Sequence, residues 1–310
     1  MMIRGLILSG IVALAAGCAS DGVQRERMAL PETTTTQIGD LVRAGILIAE
    51  KDQEKADQFG NLASQLAGSL TPTEKMSLET ERSLGSGVAI RAIDQIGPLH
   101  PSNELQKYVN LVGRGIARQS ARPTIPYTFG VLVNDAPNAF AGPGGYIFVT
   151  TGALELMQDE AQLAGVLAHE IAHVTGRHML KTYRRTQFLD AVSRGASAMS
   201  DSAAEYAGLV DESTTVLFDR GLDSNYEYEA DDLGIELAAL AGYDPRGLTE
   251  FLRAMNAKTT GRSGGWFSTH PPTSQRLQRI ERRLATDLAG IQGSRNQSRF
   301  KEATSALATR

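Results

Sequence analysis

Between residues 160 and 179 the chain sets Leu163, Val166, Leu167, Ile171 and Val174 along one stripe. Ala161, Ala164, Gly165, Ala168 and Ala172 cover most of the remainder. A stretch that is apolar or small nearly all round predicts a helix buried inside a domain and closely approached by its neighbours. Helical spacing recurs at 102–119 (Leu105, Val109, Val112, Ile116), at 224–241 (Leu233, Leu237, Leu240) and after Pro271-Pro272 (Leu277, Ile280, Leu284). Thr71-Pro72-Thr73-Glu74 is a further helix start, with Thr71 as its cap. At 127–133 and 145–150 the pattern switches to short β-branched and aromatic runs, which predict strands. The turn formers crowded into 134–144 predict the connection between them. An amphipathic pattern over 38–70 (Ile38, Leu41, Val42, Phe59, Leu66) predicts a helical extension before a main domain at 71–288. The stretch at 181–221 reads as largely helical, 261–265 as a loop leading to Trp266 and Phe267, and 289–310 as a polar tail.

Composition narrows the picture. A formal net charge of −4 with no basic tract argues against nucleic acid as a partner. The chain opens Met1-Met2-Ile3-Arg4, continues apolar over 6–16 and reaches Gly17-Cys18, the pattern of an export signal. Its apolar run is shorter than the roughly 20 residues that span a bilayer. Cys18 is the only cysteine, so no disulfide can form within one chain, and stability comes from packing and, locally, from metal. The segment 18–37 is polar and Thr-rich and reads as a tether.

Inside the buried helix stands His169-Glu170-Ile171-Ala172-His173. Positions i and i+4 lie about 40° apart around a helix, so both imidazoles share a face. Two neutral imidazoles there can hold Zn²⁺, and Glu170 is close enough to take a proton from a water on the metal. The other reading of these residues is a pair of ordinary core histidines bonded to backbone carbonyls.

A catalytic zinc normally has three protein ligands, so a third is required. The metzincin spacing fails, because Met179 stands at the ligand position and His178 one earlier, on another face. A carboxylate from a later helix is the alternative. Glu227 and Asp231 are i and i+4 in Asn225-Tyr226-Glu227-Tyr228-Glu229-Ala230-Asp231. One can reach the metal while the other bonds the outer nitrogen of a liganding histidine. Glu229 points elsewhere. His178 reads as structural, and His100 has no evident partner.

His-Glu-x-x-His followed by Glu-x-x-Ala-Asp, with Asn138-Ala139-Phe140-Ala141 ahead and His270-Pro271-Pro272 behind, resembles metallopeptidase family forty-eight. That family includes the HtpX-like, BepA-like and CAAX-prenyl-protease enzymes. The resemblance implies an α+β gluzincin fold: a mainly helical domain with a small mixed β-sheet next to the active-site helix. It implies His169, His173 and Glu227 as ligands of one Zn²⁺, Glu170 as catalytic base and Asp231 as the partner behind a ligand. His270 would approach the metal as a gate, steady the oxyanion, or cap the last helix. An extended substrate would lie along a sheet edge near Asn138, Gly144, Gly145 and Tyr146. Asp223-Ser224 departs from the Ser-Arg of many members, which puts that arginine's contact in doubt, and neither transmembrane helices nor a helical repeat array accompanies the domain.

Leu14-Ala15-Ala16-Gly17-Cys18 likewise resembles a bacterial lipobox, with Ala15 where leucine is more usual. It implies lipidation at Cys18 and an outer-membrane anchor facing the periplasm. The function implied is a zinc metalloendopeptidase acting on unfolded or misassembled envelope proteins. The alternative is a zinc-stabilised chaperone or assembly factor for outer-membrane proteins that cleaves little.

Overall fold

The computed structural model describes residues 76–182, 215, 221–258, 270 and 274–309. The signal, Cys18, the tether, the 38–70 extension, the Thr71 start, Trp266, Phe267 and nearly all of the 181–221 stretch lie outside them. Helix α1 (Leu78–Ile96) begins where the Ser77 hydroxyl accepts from the Thr80 amide, and α2 (Asn103–Ala117) begins on Ser102 in the same way. The four apolar positions predicted for α2 are all buried.

Three strands follow: β1 (Thr128–Leu132), β2 (Ala139–Gly142) and β3 (Tyr146–Thr150). Their order is β1-β3-β2, with β1 parallel and β2 antiparallel to β3, so the sheet is mixed. Strand β2 falls inside the stretch read as a connection. Its Ala-Phe-Ala-Gly sequence has little strand propensity, and pairing with β3 supplies what the sequence lacks.

Alternation along β3 divides the core. Ile147 and Val149 join Phe129, Val131, Ala139 and Ala141 in the main core with α2 and the metal-site helix, whereas Phe148 stacks on Phe140 (centroids 5.3 Å apart) in a second cluster under α1. The outer edge of β1 is covered by two side-chain amides of α2. Gln106 donates to Val131 O (3.0 Å) and accepts from Val131 N (2.9 Å), and Asn110 does the same for Phe129. That edge is closed to another strand, so the sheet's remaining margin is β2.

Three of the residues expected along the substrate edge lie off that margin. Tyr146 lies in the central strand, paired with Thr128 on one side and Gly142 on the other. Gly144 and Gly145 belong to the 3-10 turn Pro143–Gly145, where Gly144 donates to Glu81 and its carbonyl accepts from Arg82.

Helix α3 (Thr151–Leu156) leads into α4 (Glu160–Thr175), capped by Asp159 and buried from Glu160 through Val174. Helix α5 (Ser224–Leu240) is capped by Asp223 and followed by Gly242 at φ 85°. Helix α6 (Gly247–Lys258) buries Leu248, Phe251, Leu252 and Met255, an i, i+3, i+4, i+7 pattern available in the sequence but not read from it. Helix α7 (Ser274–Thr286) is the predicted basic helix, with Ile280 in the core. The residues beyond 289, polar in composition, are docked rather than trailing: α8 (Gln297–Ala303) buries Phe300 beside Tyr108, and Arg299 and Asn296 bond the buried Glu160. No helix among the described residues is long and apolar enough to cross a membrane.

Candidate metal centre

The i, i+4 spacing in α4 brings the Nε2 atoms of His169 and His173 to 3.0 Å. Helix α5 delivers the carboxylate. Gly234 makes its approach possible, since a Cβ there would lie 3.1 Å from the backbone of His169. About two turns earlier on α5, the Glu227 oxygens lie 3.6 Å from His169 Nε2 and 3.5 Å from His173 Nε2. His270 adds its Nδ1, 3.5 Å from His169 Nε2 and 2.9 Å from Glu227. A tetrahedral ion with bonds near 2.0–2.1 Å separates its ligands by roughly 3.3 Å. The four side chains therefore have the spacing of a metal site, all are buried, and their donor atoms fall within 4.8 Å of one another.

Buried polar atoms test the fit independently. Both oxygens of Glu170 are buried and have no hydrogen-bond partner among the described residues; the His270 Nε2 stands 3.6 Å off. A buried carboxylate left so is costly unless a cation or water completes it. Behind the cluster, Asp231 lies 3.1 Å from His169 Nδ1 and is itself held by two 2.7 Å bonds from Arg276. Arg276 also reaches Glu227 (3.0 Å). A divalent cation here would balance the charges: with Arg276 it gives three positive against Glu170, Glu227 and Asp231. The residues fit such an ion.

The protonation states agree with that reading. Burial depresses His173 well below the ordinary imidazole range, which leaves it neutral with a lone pair to give. Burial also works against the proton on His169, but its bonds to Asp231 and Glu227 outweigh it and raise the pKa to about 9. A bound cation must displace that proton. Burial would raise Glu227, yet His270, Arg276 and His173 hold it well below the carboxylate range. Burial raises Glu170, with His270 and His169 pulling the other way, as suits a group that takes and returns a proton.

His169, Glu170, His173, Glu227, Asp231 and His270 thus converge, while Gly144, Gly145 and Tyr146 are committed elsewhere. Asn138, at the start of β2, keeps a buried Oδ1 with no hydrogen-bond partner among the described residues. Asp223, at the departure from the family pattern, caps α5. His100 bonds the amide of Ser102. Arg276 escaped the sequence reading, although an i, i+4 acid pair on a buried face called for a counter-charge. His178 sits 2.9 Å from His173, and Glu229 faces His178 at 3.5 Å.

The chain is similar to known proteins. The chain is 29% identical over 239 residues to the beta-barrel assembly-enhancing protease of Escherichia coli (strain K12), covering 74% of this chain and 48% of that protein. It is 30% identical over 177 residues to the mitochondrial metalloendopeptidase OMA1 of Schizosaccharomyces pombe, covering 56% and 51%. Against the metalloprotease YcaL of E. coli it is 27% identical over 166 residues, covering 52% and 63%. The chain spans about half the length of the first two of these relatives. Residues 103–284, which run from α2 through the metal centre to α7, match the profile of Peptidase family M48. The chain belongs to that family and carries its metallopeptidase domain.

Proposed function

We propose that the protein is a zinc metalloendopeptidase of the bacterial envelope that cleaves unfolded or misassembled proteins. One observation carries this: two imidazole nitrogens and the Glu227 carboxylate lie 3.0–3.6 Å from one another, and the buried Glu170 carboxylate has no hydrogen-bond partner among the described residues. His169, His173 and Glu227 would hold the ion. Zinc, when bound, acidifies a water and polarises a peptide carbonyl. Glu170 accepts the water's proton and returns it to the leaving nitrogen. Asp231, clamped by Arg276, fixes the His169 ring.

His270 presents one nitrogen to Glu227 and the other to Glu170. It stands where a reacting group would enter, which favours a gate that swings away for substrate. The substrate strand would add to β2, the margin that α2 does not cover, with the Asn138 side chain at its start. Backbone pairing of that kind is insensitive to sequence and suits misfolded clients. Lipidation at Cys18 after removal of 1–17, with 18–37 as a tether and the catalytic domain at 71–288, would place the enzyme on the periplasmic side of the outer membrane. The name of the beta-barrel assembly-enhancing relative supports that setting.

The gate position of His270 also favours a second reading, a zinc-stabilised holder of outer-membrane clients that cleaves little. Casein hydrolysis by the full-length protein separates the two. Loss of cleavage in Glu170→Gln with zinc content unchanged supports the peptidase. Absence of cleavage in wild type and in His270→Ala alike would establish the holder.

A further inference from the structure

His169 and His173 differ in what stands behind them. The outer nitrogen of His169 meets a carboxylate directly, Asp231. The outer nitrogen of His173 meets another imidazole: His173 Nδ1 and His178 Nδ1 are 2.9 Å apart. Beyond that ring, His178 Nε2 is 3.5 Å from Glu229 Oε2. Nε2 makes no hydrogen bond among the described residues, and a carboxylate accepts only, so the negative charge of Glu229 facing it favours the His178 tautomer with hydrogen on Nε2. Nδ1 of His178 is then a lone pair and can only accept. His173 must donate to it from Nδ1, which turns the Nε2 lone pair of His173 toward Glu227 and His169. The opposite direction would put a hydrogen on His173 Nε2, aimed into the cluster, where no cation could bind.

The local fold is shaped around this contact. Helix α4 ends at Thr175, and Arg177 takes φ 54°, a left-handed conformation uncommon for a residue with a side chain. That turn brings His178, five residues after His173, back against it. Gly176 leaves the space, because a Cβ there would come within 2.2 Å of the His178 ring. Tyr226, the residue before Glu227, stacks on the ring's face at 4.7 Å and 16°. Arg177 is tied to Glu81 at 3.3 Å, anchoring the turn to α1.

We propose that His178 is a positioning residue: with Glu229 it locks His173 in the tautomer whose Nε2 lone pair faces the metal, as Asp231 does for His169. This rests on His169, His173 and Glu227 being the metal ligands. Two full-length variants and one spectrum test it. His178→Phe keeps a ring against Tyr226 but cannot accept a hydrogen bond, whereas His178→Gln restores an acceptor. Zinc affinity, read by chelator competition, should fall about 10–100-fold in His178→Phe and recover to within several-fold in His178→Gln. The histidine ¹⁵N–¹H spectrum of metal-free wild type should show His173 protonated at Nδ1 and His178 at Nε2, which stands whether or not a variant folds. His178→Phe binding zinc within about twofold of wild type, or His173 protonated at Nε2, would overturn the proposal while leaving the ligand set intact. Wild type that binds no zinc at all would remove the ligand set and this role together.

Discussion

Asp231 Oδ1 lies 3.1 Å from His169 Nδ1, and Arg276 grips the same carboxylate through two 2.7 Å bonds. The first contact turns the ring; the second keeps its acceptor ionised and still. Removing the carboxylate therefore harms two partners. Asp231→Ala should weaken zinc binding about 10–100-fold and, by removing the carboxylate that takes two bonds from the buried Arg276, destabilise the protein by about 3–5 kcal/mol. Asp231→Asn keeps an acceptor for the ring and should lose less affinity. Chelator competition and urea unfolding measure the two effects, and equal affinity in all three proteins would refute the coupling.

Metal binding should depend on pH through His169. Its folded-state pKa of about 9 lies above the ordinary 6.5, so at neutral pH the metal-free ring holds a proton that the cation must expel. Apparent zinc affinity should then climb about tenfold per pH unit up to pH 9 and flatten above it, with about one proton released per ion at pH 7. A titration in buffers of different ionisation enthalpy reads the proton count. An affinity that is flat across neutral pH would contradict the His169 assignment.

The close approach of α5 to α4 at Gly234 makes a packing prediction. Gly234→Val adds bulk against the His169 backbone, which cannot yield as a side-chain tip would. Overpacking of this kind costs about 1–3 kcal/mol. Because Glu227 rides on the same helix, zinc should also dissociate faster. Thermal unfolding and a stopped-flow chelator chase would show both changes, and a variant as stable as wild type would mean that the helices separate freely.

The C-terminal segment should behave as part of the domain. Phe300 is 3% exposed and lies in the main core, and Arg299 and Asn296 satisfy the otherwise costly buried Glu160. Phe300→Ala should cost about 3–5 kcal/mol, measured by urea unfolding. A loss below about 1 kcal/mol would return residues 289–310 to the status of a loose tail.

What was legible in the sequence follows from range. The α4 helix, its two histidines and its glutamate are fixed by spacing within five residues, and the α2 core face by four apolar positions in register. Glu227 and Asp231 were visible as an i, i+4 pair, although which one meets the metal came from the family resemblance. Strand β2 was hidden because Ala139–Gly142 forms a strand only through β3, and Tyr146 was misplaced for the same reason: strand order is a property of the sheet. Arg276 was missed because its partners come from a separate element, and the His178–His173 contact because it depends on a left-handed turn at Arg177 that no periodicity announces. Polarity misled at 289–310, where the exposed Arg299 bonds the buried Glu160 of α4 and Phe300 enters the main core.

The most direct test is X-ray absorption at the zinc edge on the purified full-length protein and on Glu227→Ala. The account predicts one zinc per wild-type chain, with two imidazole nitrogens and a carboxylate oxygen at about 2.0–2.2 Å. In the variant that oxygen should be gone and occupancy reduced. A wild-type protein without zinc, or an unchanged ligand shell in Glu227→Ala, would contradict it.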